Sequence, residues 1–330
     1  MMSLPVLLRV LAGAIVIIAL VYCIIIFLSH RPRLSVSSEL KYRTNDKDNK
    51  LYILPPRITS NSTFKYHDID ISLVVPCWNE TKRLGGMLEE AVEYLETNHK
   101  NKYEILIVDD GSSDGTSEYA INKAHELKLT PHTLRVIQLA KNRGKGGAVA
   151  HGFLHSRGKW GLFADADGAS RFSDISKLIE FQETIKDGSI PAISIGSRHH
   201  MINTETVVKR SFIRQVLMYG LKTLVFVFGV QDVKDTQCGF KMFNFEATKR
   251  IFPHLHNERW IFDIEVLILA EIQGMKLKEI PVNWQEMDGS KVDLARDSIA
   301  MAIDLVVTRL AYMFRIYKMD ECGRINKKDD

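Results

Sequence analysis

The chain has 330 residues, 45% hydrophobic and 25% charged, a balance that excludes a wholly disordered or low-complexity protein. Its 44 Lys and Arg against 40 Asp and Glu leave a net charge of +4, too slight to point to a nucleic-acid partner. A mean hydropathy of −0.08 excludes a polytopic membrane protein, although that average conceals one uneven segment.

That segment comes first. Val10 to Leu28 carries no charge and consists almost wholly of Leu, Ile, Val, Ala and Phe, with Tyr22 among them. About 20 such residues, at about 1.5 Å each, cross a bilayer core of roughly 30 Å. A cleaved signal peptide has a shorter apolar stretch that ends in small residues, whereas Ile24-Ile25-Ile26-Phe27-Leu28 continues the run here. Residues 1–28 are therefore expected to form an uncleaved, single-pass transmembrane anchor. Arg9 precedes the span and Arg31, Arg33, Lys41 and Arg43 follow it, so the excess of positive charge places the remainder in the cytosol. Cys23, Cys77, Cys238 and Cys322 form no CxxC pair, which fits a reducing compartment. The sequons Asn61-Ser62-Thr63 and Asn79-Glu80-Thr81 are then expected to stay unmodified. Residues 29–68 are polar, with Pro32, Pro55-Pro56 and the run Asn45-Asp46-Lys47-Asp48-Asn49-Lys50, and read as a tether.

Residues 69–330 read as one domain. Ile71–Pro76, Glu104–Asp109, Leu134–Leu139, Gly161–Asp165 and Ala192–Gly196 have the apolar, β-branched character of strands buried on both faces. Between the first two, Leu84, Met87, Leu88, Ala91, Val92 and Leu95 recur at helical spacing. Such alternation predicts an α/β fold, a mostly parallel sheet with helices on both faces, and ligands bind such sheets beyond the carboxyl ends of the strands.

The polar clusters fall at those ends. Val75-Pro76-Cys77-Trp78-Asn79-Glu80 closes the first strand, and Val108-Asp109-Asp110-Gly111-Ser112-Ser113-Asp114-Gly115-Thr116 closes the second. Carboxylates there can accept hydrogen bonds from a base or ribose while helix amides face phosphate, although the second run also suits a plain helix cap. The fourth strand leads into Ala164-Asp165-Ala166-Asp167-Gly168-Ala169, where two carboxylates one residue apart can approach one hard cation. A calcium loop counted from Asp165 would need glycine and glutamate where Ser170 and Ser176 stand. Asn142-Arg143-Gly144-Lys145-Gly146-Gly147-Ala148 invites a P-loop reading, but Leu139 and Gly146 occupy positions that require glycine and Ser or Thr. No GxGxxG follows a strand. His151 and His155 lie one turn apart without the glutamate of a zinc-protease helix, so they read as a packed or solvated face.

As a set these strings resemble glycosyltransferase family 2, inverting enzymes with the nucleotide-diphospho-sugar transferase (GT-A type) fold, over roughly residues 70 to 290. Gly196-Ser197-Arg198, Asp235-Thr236-Gln237-Cys238-Gly239-Phe240-Lys241, Arg259-Trp260-Ile261-Phe262-Asp263-Ile264-Glu265 and Val282-Asn283-Trp284 with Gly289-Ser290-Lys291 narrow the match to members that charge dolichyl phosphate with a hexose. The resemblance implies transfer of glucose from UDP-glucose, with inversion, to dolichyl phosphate at the endoplasmic reticulum membrane, for the lipid-linked oligosaccharides of protein N-glycosylation. It implies that Pro76, Trp78, Glu80, Val108 and Asp110 hold the uridine and ribose, with Gln237 also at the donor. It further implies that Asp165 and Asp167 bind Mg²⁺ or Mn²⁺ on the diphosphate, that Ala166 and Ala169 line that turn, and that Arg198 faces the phosphates. Lys145 adds counter-charge. The family's usual tyrosine in the first motif is Trp78 here.

A phosphate monoester with a second pKa of roughly 6 is largely ionised at neutral pH, so the acceptor needs a cationic cradle more than a base. Arg198, Arg210 and Arg214 are the candidates. Asp263, at the start of an apolar helix, is expected to position a glucose hydroxyl or a basic residue, although helix-start acids also occur for the dipole alone. Val216 to Val230 and the amphipathic stretch Asp297 to Lys318 are expected to meet membrane lipid. The rival readings are a mannosyltransferase using GDP-mannose, a processive polysaccharide synthase, and a non-catalytic sugar-nucleotide binder. The synthase motif's glutamine position holds His256, and its several spans are missing.

Overall fold

The computed structural model describes residues 4–48, 50–201, 220, 223–224, 227–230, 233–287, 289 and 294–318. The expected Arg210 and Arg214, and most of Val216 to Val230, lie outside the described residues.

Seven strands form the main sheet: β3 (Ile71–Cys77), β4 (Tyr103–Asp109), β5 (Leu134–Gln138), β6 (Trp160–Ala164), β7 (Ala192–Ser197), β8 (Phe240–Asn244) and β9 (Lys276–Pro281). Their order is β5-β4-β3-β6-β8-β7-β9. The first four run parallel, β8 is antiparallel to both of its neighbours, and β9 returns parallel to β7. The five expected strands appear within a residue of their expected ends. β8 and β9 were not anticipated: the apolar run of β8 is interrupted by Lys241 and ends in Asn244, and β9 is an edge strand on which Ile280 is the one buried residue.

Helices cover both faces, α2 (Leu84–Asn98), α3 (Thr116–Glu126) and α5 (Ile175–Glu183) on one and α4 (Lys145–Leu154), α6 (Phe245–Ile251) and α7 (Phe262–Ile272) on the other. In α2 the expected stripe is inside, with Leu84, Leu88 and Leu95 fully buried, each contributing roughly 1.5–3 kcal/mol. In α7 every residue from Phe262 to Ala270 is buried, so this helix is core rather than amphipathic.

The apolar helix α1 (Leu4–Leu28) is 25 residues long, about 37 Å at the usual rise and enough to cross a bilayer core. It is largely bare and meets the domain only at its end, where Ile25 is buried and Tyr22 packs edge-on against Phe314. Phe314 follows α8 (Leu294–Met313). One side of α8 packs inward through Leu305, Thr308 and Ala311, and another leaves Ile299, Ile303 and Met313 exposed.

Residues 29–68 are not a loose tether. They form a strap with a small hairpin of β1 (Lys41–Tyr42) and β2 (Tyr52–Ile53). Arg43 pairs with Val136 through both backbone bonds, covering the β5 edge. The strap is polar because its polar groups meet polar groups of the domain: Glu39, fully buried, accepts from the Ala140 amide at 2.9 Å, and Asn45 Nδ2 donates to the Leu129 carbonyl at 2.6 Å. His151 bonds the Glu39 carbonyl at 2.8 Å and His155 the Pro55 carbonyl at 2.7 Å. The histidine pair thus fastens the strap.

Candidate active site

Parallel β3, β4 and β6 end at one edge of the sheet. Chain order reverses between β3 and β6, which opens a crevice there. Because β8 runs the other way, its entrance reaches the same edge: Phe240 pairs with Ala164, and the Asp165 amide donates to the Gly239 carbonyl at 3.1 Å. The result is a cleft of about 920 Å³.

On the β3–β4 side the cleft is lined by Pro76, Trp78, Glu80 and Asp110. Asp109 does not face it; its carboxylate accepts from the Ser112 amide at 2.8 Å and from the Ser117 hydroxyl, tying the loop after β4 to the first turn of α3. Asp110 accepts the amides of Arg143 at 2.7 Å and Gly144 at 2.9 Å, so the glycine-rich loop is held to the end of β4. Gly144 has φ +91°, and a Cβ there would lie 2.5 Å from the Glu258 carbonyl, so only glycine fits. Burial pushes the Asp110 carboxyl up to about 7 against the pull of those two amides. Val108 corrects an expectation: its side chain is fully buried and faces Gly152 of α4, so it belongs to the core and does not line the cleft. A strand buried on both faces directs alternate side chains away from its ligand edge.

Asp165, Ala166, Asp167 and Ala169 form the next part of the lining, with Gly239 opposite. A Cβ added at Gly239 would overlap Asp165 Oδ2, so the absence of a side chain there makes room for the carboxylate. Lys145, at the start of α4, places Nζ 2.7 Å from Asp165 Oδ1 and sits over the Phe163 and Trp260 rings at 5.1 and 5.8 Å. Burial lowers the Lys145 pKa, but the Asp165 and Asp263 carboxylates outweigh it and keep the ammonium charged. Burial and the neighbouring Asp165 charge raise the Asp167 carboxyl. Two crowded carboxylates in an open turn offer hard oxygen donors. Among the described residues no group of three or more His, Cys, Asp and Glu could cage a metal. The two carboxylates suit a hard divalent cation that keeps water and binds substrate phosphate.

The far wall carries Arg198, Gln237 and Asp263. Asp235 grips Arg198 with two bonds of 2.8 Å, and the guanidinium lies 5.3 Å from the Trp284 ring centre. Asp263, 4% exposed, accepts from Lys241 Nζ at 2.5 Å. Lys241 is 1% exposed and donates also to the Cys238 carbonyl at 2.6 Å. Asp263 thus pairs with a basic residue in the wall of the cleft. Glu265 points elsewhere: it accepts the His256 and Asn257 amides at 2.9 and 2.6 Å and Tyr312 at 2.8 Å, fixing the loop before α7.

Three contributors were not singled out beforehand. Arg83 is bidentate to Glu80 at 2.8 and 2.6 Å and lies 3.7 Å from Asp167, linking the first motif to the acid pair. Lys241 was legible only as part of a string, since a buried lysine is the exception. Asp304 of α8 lines the cleft and accepts from His30 at 3.0 Å, so the wall continues to the exit of α1.

A sheet of this topology with an acid pair at the switch point is that of a nucleotide-diphospho-sugar transferase of the GT-A type. The glycosyl transferase family 2 profile matches residues 72–252, and the chain belongs to that family. A dolichyl-phosphate beta-glucosyltransferase of Saccharomyces cerevisiae is 49% identical over 305 residues, which is 90% of this chain and 91% of that protein. One of Homo sapiens is 40% identical over 300 residues, 89% and 90% of the two chains. Among solved structures, glucosyl-3-phosphoglycerate synthase of Mycobacterium tuberculosis in complex with UDP superposes with a TM-score of 0.50 at 16% identity, over 79% of this chain and 83% of that one, a likeness of fold.

Proposed function

We propose that the chain transfers glucose from UDP-glucose to dolichyl phosphate, with inversion, as a dolichyl-phosphate beta-glucosyltransferase on the cytosolic face of the endoplasmic reticulum membrane. The observation that carries this reading is the continuity of one cleft: nucleotide-type loops and an acid pair at one end, and at the other α8, the helix on which the apolar α1 rests. Relatives named for this activity, 36 to 49% identical over 90% of this chain, support the sugar and the acceptor.

Asp110, with Trp78 nearby, holds the uridine and ribose in this reading. Asp165 and Asp167 hold the divalent cation, which when bound neutralises charge developing on the diphosphate leaving group. Lys145 supplies a fixed positive charge beside it, and Arg198, clamped by Asp235, presents another from the opposite wall. A phosphate oxygen of the acceptor attacks the anomeric carbon from the face opposite UDP. The bond to UDP breaks as the new one forms, and no proton has to leave the nucleophile. Asp263, closed by Lys241, is therefore a positioning residue. The polyprenyl chain approaches along the exposed Ile299, Ile303 and Met313 stripe of α8. In detergent, UDP release from UDP-glucose should require both dolichyl phosphate and a divalent cation; release independent of the acceptor, or none, contradicts the proposal.

A further inference from the structure

A second cavity, about 430 Å³, shares Arg143 with the donor cleft. Its cations are Arg33, Arg57 and Arg143, and among the described residues no Asp or Glu lines it. Glu39 and Glu258, the partners of Arg33 and Arg143, lie outside the lining. The rest of the wall is largely apolar, and its rim is open: Leu34 is 42% exposed, Leu40 39% and Ile53 81%. Arg33 follows the end of α1 by five residues, a reach of at most about 17 Å. A concave site with an arginine floor and an apolar lip beside a membrane helix matches a molecule that has a phosphate at one end and hydrocarbon at the other.

We propose that this cavity binds the phosphate of an anionic phospholipid from the leaflet that α1 enters, with the acyl chains over Leu34, Leu40 and Ile53. The inference rests on the reading of α1 as an anchor and does not depend on the donor or the reaction. The occupant touches Arg143, whose amide holds Asp110 at 2.7 Å, so a lipid here braces the loop that frames the donor cleft.

The test uses the full chain in neutral detergent, offered phosphatidylserine or phosphatidylcholine in mixed micelles, with bound lipid counted by native mass spectrometry. The wild type should retain one phosphatidylserine and no phosphatidylcholine. Ile53→Asp, at an exposed site that leaves packing intact, and Arg57→Gln should each cut retention about fivefold, and Ile53→Lys should raise it. An unchanged far-UV circular dichroism spectrum of each variant in lipid-free detergent shows that it is folded. Equal retention of both lipids, or retention indifferent to all three substitutions, overturns the proposal. Displacement by inorganic phosphate at the lipid's own concentration overturns the lipid assignment in favour of a free anion.

Discussion

Lys241→Met isolates the role of the buried pair beside the acid site. The ammonium is 1% exposed and makes two bonds, 2.5 Å to Asp263 and 2.6 Å to the Cys238 carbonyl. Methionine fills a similar volume and supplies neither. Removing one member of a buried ion pair costs about 3–5 kcal/mol, because the other charge stays behind without compensation. Lys145 also pulls on Asp263, so the lower figure, about 3 kcal/mol, is expected. In a domain of this size that is a fall of roughly 6–12 °C in Tm, read by tryptophan fluorescence in detergent. Lys241→Met with Asp263→Leu should recover most of it, since the pair is then replaced by apolar atoms, while turnover stays low because the cleft has lost a wall group. A loss below about 1 kcal/mol, or a double variant no better than the sum of the singles, would refute the reasoning.

Gly239→Ala should fold, because the three atoms nearest the added methyl all belong to the Asp165 carboxylate, yet lose on the order of 10²-fold in turnover as the carboxylate is displaced; near-normal turnover would separate Asp165 from the reaction. The Asp110 carboxyl, raised by burial to about 7, should make UDP affinity rise with pH through 7, a limb absent in Asp110→Asn. The sign for stability is opposite: a raised carboxyl contributes fully below its ordinary value near 3.8 and its contribution is lost as pH rises through about 7. A chain lacking residues 1–28 should still partly co-sediment with liposomes through the exposed Ile299, Ile303 and Met313; full solubility would show that α8 does not meet lipid.

The parallel strands were legible because burial on both faces leaves unbroken apolar runs such as Ile105-Leu106-Ile107-Val108. The site was legible where chemistry concentrates in one string, as in Asp165-Ala166-Asp167. It was not legible where partners are distant in sequence: Arg83 reaches Asp167, Lys241 reaches Asp263, and His30 reaches Asp304. Val108 went astray because membership of a strand-end string does not say which face a side chain takes. The strap was misread for a related reason. Polar composition describes a linker and a polar-bonded strap equally, and only the partners His151, His155, Ala140 and Leu129 distinguish them.

The most direct measurement is the lipid product itself. Purified full-length protein with dolichyl phosphate and Mg²⁺ is supplied with UDP-glucose or with GDP-mannose, and the lipid fraction is resolved by mass spectrometry with the anomer assigned by NMR. The β-glucosyl phosphate of dolichol should form from UDP-glucose alone. Product from GDP-mannose alone, or an α-linked glucoside, would contradict the reading of this cleft as an inverting glucosyl-transfer site.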